Sequence, residues 1–274
     1  MPAMSEPGER FAFGENWASF LACLDDERIA ESERCLCKML EVEDLRGLSF
    51  LDIGSGSGLS SLAARRLGAR VRSFDFDPRS VACTEELRRR YFPDDPEWTV
   101  EQASALDEAY LRSLGAFDLI YAWGVLHHTG GMWRAIELAS RLVRPGGKFH
   151  LAIYNDQGGV SRRWRTLKRF YNRAPRPVRW ALVLAVGVWW ELRAALARLA
   201  RFENPLPFRD WAAKKKSRGM SVWHDLVDWV GGYPFEFARP EEVFDFLRAR
   251  GFTLVRLRTT LGHGTNEFVF RRPN

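Results

Sequence analysis

The chain has 274 residues, of which 46% are hydrophobic and 28% are charged, a composition typical of a globular protein rather than a disordered one. Four cysteines in this length exclude a disulfide-stapled miniprotein. Residues 1–16 lack the apolar core of a secretory signal, and the longest uncharged run near the middle, Trp180–Trp190, is 11 residues long, about half of a membrane span. The sequence therefore predicts a cytoplasmic, mostly soluble protein.

The net charge of +6 is unevenly distributed along the chain. Residues 160–219 contain 16 lysines and arginines against three acidic residues, whereas the remainder of the chain is net acidic. Such a segment is typical of a surface that contacts an anionic partner, such as phospholipid headgroups, nucleic acid or a phosphorylated substrate. A solvated helical face explains the same charges equally well.

The N-terminal part of the chain, residues 17–45, has apolar residues at helical spacing and predicts one or two helices that pack on the α/β part of the chain. The strands predicted after it are Leu48–Ile53, Arg70–Phe74, Trp98–Gln102, Phe117–Ala122 and Lys148–Ile153. The helices predicted between them are Leu59–Leu67, Pro78–Tyr91 and Met132–Val143, the last closed by Pro145-Gly146-Gly147. This alternation predicts βαβ units on a mostly parallel sheet that is covered on both faces.

After the basic segment the pattern resumes with a helix, Pro240–Arg250, and two strands, Phe252–Arg258 and Asn266–Phe270. The short loop between these strands predicts an antiparallel pair at the end of the sheet. The chain thus divides into four parts. These are an N-terminal helical segment (1–46), an α/β core (47–155), a basic, tryptophan-rich helical insertion (156–233) and a C-terminal helix and strand pair that complete the core (234–274).

The most informative segment is Leu51–Ser60, in which a predicted strand leads into a glycine-rich turn and then into a helix. Gly54, Gly56 and Gly58 alternate with other residues, and glycines let a ligand approach main-chain N–H groups without an intervening Cβ. The spacing G-x-G-x-G differs from the dinucleotide fingerprint and from the Walker loop. A tight structural turn is the competing interpretation. However, Asp75 ends the next strand, where a carboxylate in a doubly wound sheet accepts hydrogen bonds from ribose hydroxyls.

Four motifs of the chain resemble, in the same order, those of the class I S-adenosylmethionine-dependent methyltransferases. They are Leu51–Gly58, Asp75 at the end of Val71–Asp75, Phe117–Tyr121 followed by Gly124–His128, and Leu142–Gly147. The resemblance covers residues 48–154 and, less distinctly, 238–271. It implies a doubly wound, Rossmann-like sheet of seven mostly parallel strands, with a helical insertion before the last helix and strand pair, and S-adenosyl-L-methionine as the cofactor.

The same resemblance implies roles for residues of these motifs. Carried over, the cofactor-binding residues are Asp52, Gly54, Gly56, Gly58, Asp75, Ser104 and Ala105. Asp52 and the glycines would flank the methionine moiety, and Asp75 would hold the ribose. Ser104 and Ala105 would lie beside the adenine, although the family often has an acid where Ser104 stands.

Within the class, Gly124–His128 and Pro234–Gly251 look most like the quinone and small-molecule O-methyltransferases. That likeness implies methyl transfer to a small-molecule or lipid-linked acceptor by an in-line displacement. A hydroxyl acceptor also needs a base. His127 and His128 directly follow the fourth strand, and we prefer His128 because it matches a histidine of the related enzymes. A helix cap, or packing beneath the cofactor, explains the pair as readily.

Three other polar groups are candidates at the same edge of the sheet. Tyr154–Asp156 end the fifth strand and could orient an acceptor, although a loop turn explains the last two residues equally well. His224-Asp225 in the insertion could act as a paired base, with helix capping by the aspartate as the alternative. Asn266-Glu267 begin the last strand near the same rim. No metal site is predicted, because Cys35 and Cys37 are two residues apart in a helical pattern and have no ligand partner at zinc spacing.

Seven of the 11 tryptophans lie between residues 160 and 230. Within this part, Val178–Phe202 combines an apolar run with leucines on one face and arginines elsewhere, which suits a peripheral membrane contact through residues 160–219. We favour a helical lid over that alternative, with the tryptophans packed on the catalytic domain or on a second subunit. RNA binding ranks third.

The sequence therefore leaves three functions open. The leading one is methyl transfer to a small-molecule or lipid-linked acceptor. The second is an RNA (tRNA) methyltransferase that docks through the basic insertion, and the third is a non-catalytic cofactor-binding partner of another subunit. The oligomeric state stays open.

Overall fold

The computed structural model describes residues 11, 13–14, 17, 21, 24–206, 222–262 and 264–274, with the backbone alone for 222–225 and 228. The strands in these residues are β1 (Ser49–Ile53), β2 (Arg70–Asp75), β3 (Trp98–Gln102), β4 (Phe117–Trp123), β5 (Val143–Tyr154), β6 (Thr253–Arg258) and β7 (Thr265–Arg271). They form one sheet in the order β3-β2-β1-β4-β5-β7-β6. Strands β1 to β5 are parallel, and β7 is antiparallel to both of its neighbours. The predicted doubly wound, mostly parallel seven-stranded sheet is confirmed.

The helices that cover this sheet follow the predicted alternation. Those in the described residues are α1 (Asp26–Leu40), α2 (Leu59–Arg66), α3 (Pro78–Tyr91), α4 (Glu108–Ser113), α5 (Met132–Arg141), α6 (Gly159–Arg173), α7 (Arg176–Ala200), α8 (Val222–Gly231) and α9 (Pro240–Arg248), with a 3₁₀ turn at Leu126–His128. Helices α1, α2 and α3 pack on one face of the sheet, and α4, α5 and α9 pack on the other. Apolar side chains on both faces of the strands fill the two cores, as a covered parallel sheet requires.

The main departure from the prediction lies before β5. The helix predicted over Met132–Val143 ends at Arg141, because Val143 already pairs with Phe117 of β4. The next pair joins Leu119 to Lys148, so Pro145-Gly146-Gly147 bulge out of β5 instead of preceding it. The sequence analysis also missed α4, since six residues are too few to show a helical period.

The predicted helical insertion corresponds to α6, α7 and α8. Tyr171 of α6, Val183 of α7, and Leu226 and Val230 of α8 form a small core that joins the three helices. Residues 207–221, which include part of the predicted contact segment, lie outside the described part of the chain. The division of the chain at residues 46, 155 and 233 stays a prediction.

The sheet positions a site at one edge. The carboxyl ends of β1, β2, β4 and β5 meet there, and the strand order reverses between β1 and β4. Doubly wound sheets bind ligands in the crevice at such a switch point. The predicted glycine turn follows β1 and therefore lies at this position.

Candidate functional site

The loop after β1 requires glycine. Gly54, Gly56 and Gly58 have φ angles of 74°, 55° and 81°, which side-chain-bearing residues rarely adopt. A Cβ on Gly54 would lie 2.2 Å from the side chain of Val125, and one on Gly58 would lie 2.8 Å from the Cα of Thr84. The contact with Val125 also brings this loop against the segment that follows β4.

Asp75, at the end of β2, contacts the same loop. Its carboxylate accepts the Gly56 N–H and the Asp77 N–H, each at 2.9 Å. Burial raises the pKa of Asp75, and hydrogen bonds from the backbone of Asp77, Gly56 and Phe76 oppose that shift. A carboxylate has about four acceptor positions, so Asp75 can still accept a hydrogen bond from a ligand hydroxyl. Asp77 accepts the Arg79 N–H and caps α3.

Asp52 lies beneath the loop in a buried polar network. It is 2% exposed and accepts a hydrogen bond of 2.5 Å from the hydroxyl of Ser61. That hydroxyl also contacts the Ser73 hydroxyl at 2.7 Å, to which the indole N–H of Trp98 donates. Burial raises the pKa of Asp52 to about 7. The network ties β1, β2 and β3 to α2, and the predicted place of Asp52 beside a methionine moiety stays a prediction.

The turn after β3 contains Ser104 and Ala105, the residues expected beside an adenine. The Ser104 hydroxyl accepts the Leu106 N–H at 3.1 Å, and Ala105 is buried. Between this turn and Asp75 lies Phe76, whose side chain is 56% exposed and whose carbonyl accepts the Gln102 amide. The sequence analysis missed Phe76, although an aromatic residue directly after the acid was a usable signal. The roles of Ser104 and Ala105 stay predictions.

His127 and His128 occupy the 3₁₀ turn after β4, and their surroundings differ. His127 is fully buried, and burial, together with the nearby His128 and Lys168, holds its pKa well below the usual value. His127 is therefore neutral and a weak proton acceptor. Nδ1 of His128 lies 2.6 Å from the Pro234 carbonyl oxygen. Since a carbonyl only accepts, Nδ1 carries the proton, and the lone pair of the neutral ring is on Nε2.

Glu236 fixes the position of this turn and was missed by the sequence analysis. Its N–H donates to the His127 carbonyl at 2.9 Å, and its carboxylate accepts the Met132 N–H at the start of α5. Burial raises the pKa of Glu236. No sequence signal marks this contact, because Glu236 and Met132 are 104 positions apart.

Aromatic rings line the other side of the histidine pair. The ring of Tyr154, at the end of β5, lies 4.1 Å from that of His127, 5.0 Å from Phe235 and 5.7 Å from Trp229. We call Tyr154, Trp229 and Phe235 the aromatic wall. Lys168 of α6 is fully buried, and its Nζ lies 4.9 Å and 4.7 Å from the centres of the Trp229 and Phe235 rings. The sequence analysis missed Lys168, which resembles the other basic residues of the insertion.

Residues near the N-terminus cross this edge of the sheet. The Phe11 N–H donates to the Tyr233 carbonyl at 3.0 Å, and the ring of Phe13 lies 4.8 Å from that of His128. The chain therefore passes directly over the histidine turn.

The same segment continues to the glycine loop. The Gly14 N–H donates to the Asp77 carboxylate at 2.9 Å, and a Cβ on Gly56 would lie 3.1 Å from the indole of Trp17. Residues 11, 13, 14 and 17 thus form a strap over both halves of the site.

The remaining candidates have structural partners. The Asn266 amide donates to the Asn155 side chain at 3.1 Å, and Asn155 donates to the Thr260 carbonyl. Asp156 accepts the Gly158 N–H at 2.7 Å, as the alternative of a loop turn expects. Glu267 pairs with Arg258 at 3.5 Å. These contacts hold the strand ends together.

Two predictions involve residues away from these contacts. His224 belongs to α8, but its side chain and that of Asp225 lie outside the described part of the structure. In the described residues, neither Cys35 nor Cys37 belongs to a group of three or more metal-ligating side chains.

The fold and the site define a doubly wound α/β protein with a glycine loop and a carboxylate at the topological switch point. Residues 51–149 match the family model described as "Methyltransferase domain". Over these residues the chain is similar to the class I S-adenosylmethionine-dependent methyltransferases, in agreement with the resemblance of its motifs.

Relatives and solved structures are similar to different parts of the chain. Ubiquinone biosynthesis O-methyltransferase from Xanthomonas oryzae pv. oryzae (strain PXO99A) is 30% identical over 112 residues, which are 41% of this chain and 45% of that protein. The chain thus matches less than half of the length of these curated relatives.

Two solved structures match most of the chain at low identity. Magnesium protoporphyrin IX methyltransferase from Synechocystis PCC 6803, with bound SAH, has a TM-score of 0.52 at 14% identity, covering 89% of this chain and 83% of that one. N-methyltransferase NodS from Bradyrhizobium japonicum WM9, in complex with S-adenosyl-L-homocysteine, also has a TM-score of 0.52, at 16% identity over 96% and 100% of the two chains. At these identities the likeness is one of fold.

Proposed function

We propose that the protein is an enzyme that transfers a methyl group from S-adenosylmethionine to a hydroxyl oxygen of a small-molecule acceptor. The observation that carries this proposal is the orientation of His128, whose Nδ1–H donates to the Pro234 carbonyl and leaves Nε2 as the proton acceptor. Val125, three residues earlier, touches the glycine loop, so the base and the loop belong to one site. The name of the Xanthomonas relative, an O-methyltransferase, supports a hydroxyl acceptor.

The residues at the switch point fit this cofactor. The remaining acceptor positions of the Asp75 carboxylate suit ribose hydroxyls, and the exposed ring of Phe76 offers an apolar surface for the adenine. The absence of Cβ atoms at Gly54 and Gly58 lets the loop pack closely against Val125 and Thr84, which holds its main chain at the switch point where the methionine moiety would bind. When bound, S-adenosylmethionine would supply a methyl group on a sulfonium sulfur, whose carbon a nucleophile attacks in line with the C–S bond so that S-adenosylhomocysteine leaves.

The residues of the chain would then align the acceptor, exclude water and remove one proton. His128 Nε2 takes the proton of the acceptor hydroxyl as that oxygen attacks. The positive charge that develops on the ring strengthens its hydrogen bond to the Pro234 carbonyl. The aromatic wall and the N-terminal strap cover the site and keep water away from the reacting oxygen.

A turnover assay with His128→Ala tests the proposed base. With S-adenosylmethionine and a panel of soluble phenols and catechols, we expect turnover to fall by about 10²- to 10⁴-fold. The affinity for S-adenosylhomocysteine should stay within about twofold, since His128 is not assigned to the cofactor. Full turnover of the variant would remove His128 as the base, and the absence of methylated product from the wild type with every acceptor would contradict the proposed reaction.

A lipid-linked acceptor and an RNA acceptor are alternative proposals, and a separate observation motivates each of them. A lipid-linked acceptor is motivated by the exposed apolar side chains of α7. An RNA acceptor is motivated by Arg162, Arg163 and Arg169, which are exposed on α6, and its binding should weaken steeply with salt. Binding of S-adenosylhomocysteine without product on any acceptor, together with a co-purifying subunit, would favour the non-catalytic partner.

A further inference from the structure

Helix α7 packs on the protein through one side only. Val183 is buried, and Leu182, Val186 and Trp190 contact the small core formed with α6 and α8. The opposite side is apolar and exposed. Its side chains are Leu184, Val188, Trp189, Leu192, Leu196 and Leu199, each between 45% and 65% exposed. We call these six residues the outer face of α7.

The outer face contains no charged residue. At about 100° per residue, its six side chains fall within a stripe roughly 140° wide on the helix. The charged residues Arg193 and Glu191 project on the two flanks of this stripe, outside it. An exposed apolar stripe of this length marks an interaction surface.

The charge around this helix indicates the chemistry of the partner. Residues 159–206 contain 11 arginines and lysines against two acidic residues. Arg162, Arg163 and Arg173 of α6 are exposed, and Arg176 begins α7. A second copy of the chain on this surface would bring like charges together, whereas an anionic lipid headgroup layer complements them.

The packing of α7 also decides how it would meet a bilayer. Among the described helices, α7 is long and apolar enough to cross a membrane. Its inner side, however, is held against α8 by Val183 and Trp190, and a crossing helix would have to leave that core. An amphipathic helix that stays packed on its domain lies in the plane of the interface.

We propose that the outer face of α7 docks the protein on an anionic membrane surface, with the apolar side chains among the acyl chains and the neighbouring arginines at the headgroups. Trp189, on the edge of the stripe, suits the headgroup level. The docking does not depend on the proposed methyl transfer.

The aromatic wall connects this surface to the site. The Trp190 ring of α7 lies 6.0 Å from that of Trp229, which lies 5.7 Å from Tyr154. The Tyr154 ring in turn lies 5.5 Å from that of His128. If the proposed function holds, this row of rings favours an apolar acceptor that reaches His128 from the bilayer.

Vesicle co-sedimentation of the full chain tests the docking. The probes are vesicles of phosphatidylcholine alone and of phosphatidylcholine with about 30% phosphatidylglycerol. We expect the wild type to bind the anionic vesicles, and the double variant Leu184→Glu/Val188→Glu to lose at least about tenfold in partition coefficient. The matched control is Val255→Glu/Leu257→Glu, which changes two exposed apolar residues of β6 and should bind like the wild type.

Three results would overturn the proposal. The first is absence of wild-type binding to anionic vesicles, and the second is an equal loss in the α7 and β6 variants. The third is a wild-type dimer in light scattering that Leu184→Glu/Val188→Glu converts to a monomer, which would assign the face to a second copy. If the reaction proposal fails instead, methylation of soluble acceptors is absent while vesicle binding persists. Unchanged S-adenosylhomocysteine binding shows that the α7 variant remains folded.

Discussion

Of the two carboxyl groups beside the glycine loop, Asp52 is buried and Asp75 is half-buried, and burial raises the pKa of both. Asp75 accepts two backbone N–H groups, which favour the ionised form. Asp52 accepts a serine hydroxyl inside the core, and burial raises its pKa to about 7. Protonation of Asp52 is therefore coupled to folding near neutral pH.

Replacing Asp52 should change how stability depends on pH. The folded protein holds the Asp52 proton up to about pH 7, whereas an unfolded chain releases it near pH 4. Between these values Asp52 destabilises the fold by up to about 1.4 kcal/mol for each pH unit of increase. Asp52→Asn keeps an acceptor for Ser61 and removes this dependence. Urea unfolding at about pH 5 and about pH 8 measures the difference, and identical pH dependence in both proteins would contradict the assignment.

Glu236 is a positioning residue for the histidine turn. Glu236→Ala leaves the Met132 N–H at the start of α5 without its acceptor, so we expect a loss of about 1 kcal/mol in stability. The His127 carbonyl keeps its main-chain donor in this variant, but the segment that joins the histidine turn to α5 loses its carboxylate partner. We expect this change to displace His128, so that kcat falls while KM for S-adenosylmethionine stays nearly unchanged. Glu236→Gln keeps an acceptor oxygen and should restore kcat. A purely structural role predicts the stability loss without the change in kcat.

In the glycine loop, Gly58 is required by the packing of two helices and not only by its own backbone conformation. Gly58 and Gly124 both have positive φ angles, 81° and 75°, but only Gly58 approaches another backbone, that of Thr84 in α3. The tight contact between α2 and α3 therefore depends on Gly58, whereas a Cβ on Gly124 would meet no atom within 4 Å.

Alanine substitutions at Gly124 and Gly58 separate the free-energy cost of backbone strain from the cost of a steric contact with α3. Gly124→Ala incurs only the backbone strain, about 1 kcal/mol. Gly58→Ala adds a contact of 2.8 Å with backbone and should lose about 2 to 4 kcal/mol in total. Denaturant unfolding of both variants tests the difference. Equal losses would mean that the loop and α3 separate easily.

The sequence analysis correctly predicted the helices and strands whose bounds are set by residues close to them in the sequence. The bounds of α3 and β3 agree with the sequence analysis, since Pro78 and the cap at Asp77 mark the start of α3. The bulge before β5 could not be predicted, because it depends on pairing between Val143 and Phe117 of another strand.

The residues of the site divide in the same way, into those that a local motif predicts and those that depend on the tertiary fold. The glycines and Asp75 were predicted because the motif keeps them close in sequence. Lys168 and Glu236 were missed because each acquires its neighbours, Trp229 and Met132, only through the tertiary fold. The orientation of His128 depends on Pro234 and is likewise a property of the tertiary structure.

At the scale of the molecule, one insertion carries two kinds of tryptophan. Trp164, Trp190 and Trp229 contact one another, and the role of the insertion as a lid stays a prediction. Trp180 and Trp189 are 58% and 45% exposed, which the lid does not explain. Composition could not separate these groups, whereas the packing of α7 does. The insertion therefore has an inner side whose rings contact Tyr154 and an outer side that is exposed.

The central claim is that the glycine loop and Asp75 together bind the nucleoside of the cofactor. Calorimetric titration with S-adenosylhomocysteine tests it most directly. Asp75→Ala should bind about tenfold to a hundredfold more weakly than the wild type, because charge-assisted hydrogen bonds are lost. Asp107→Asn, which changes a carboxylate at the start of α4 on the same edge, should bind like the wild type. Equal affinity of Asp75→Ala and the wild type, or no wild-type binding at about millimolar ligand, would contradict the account.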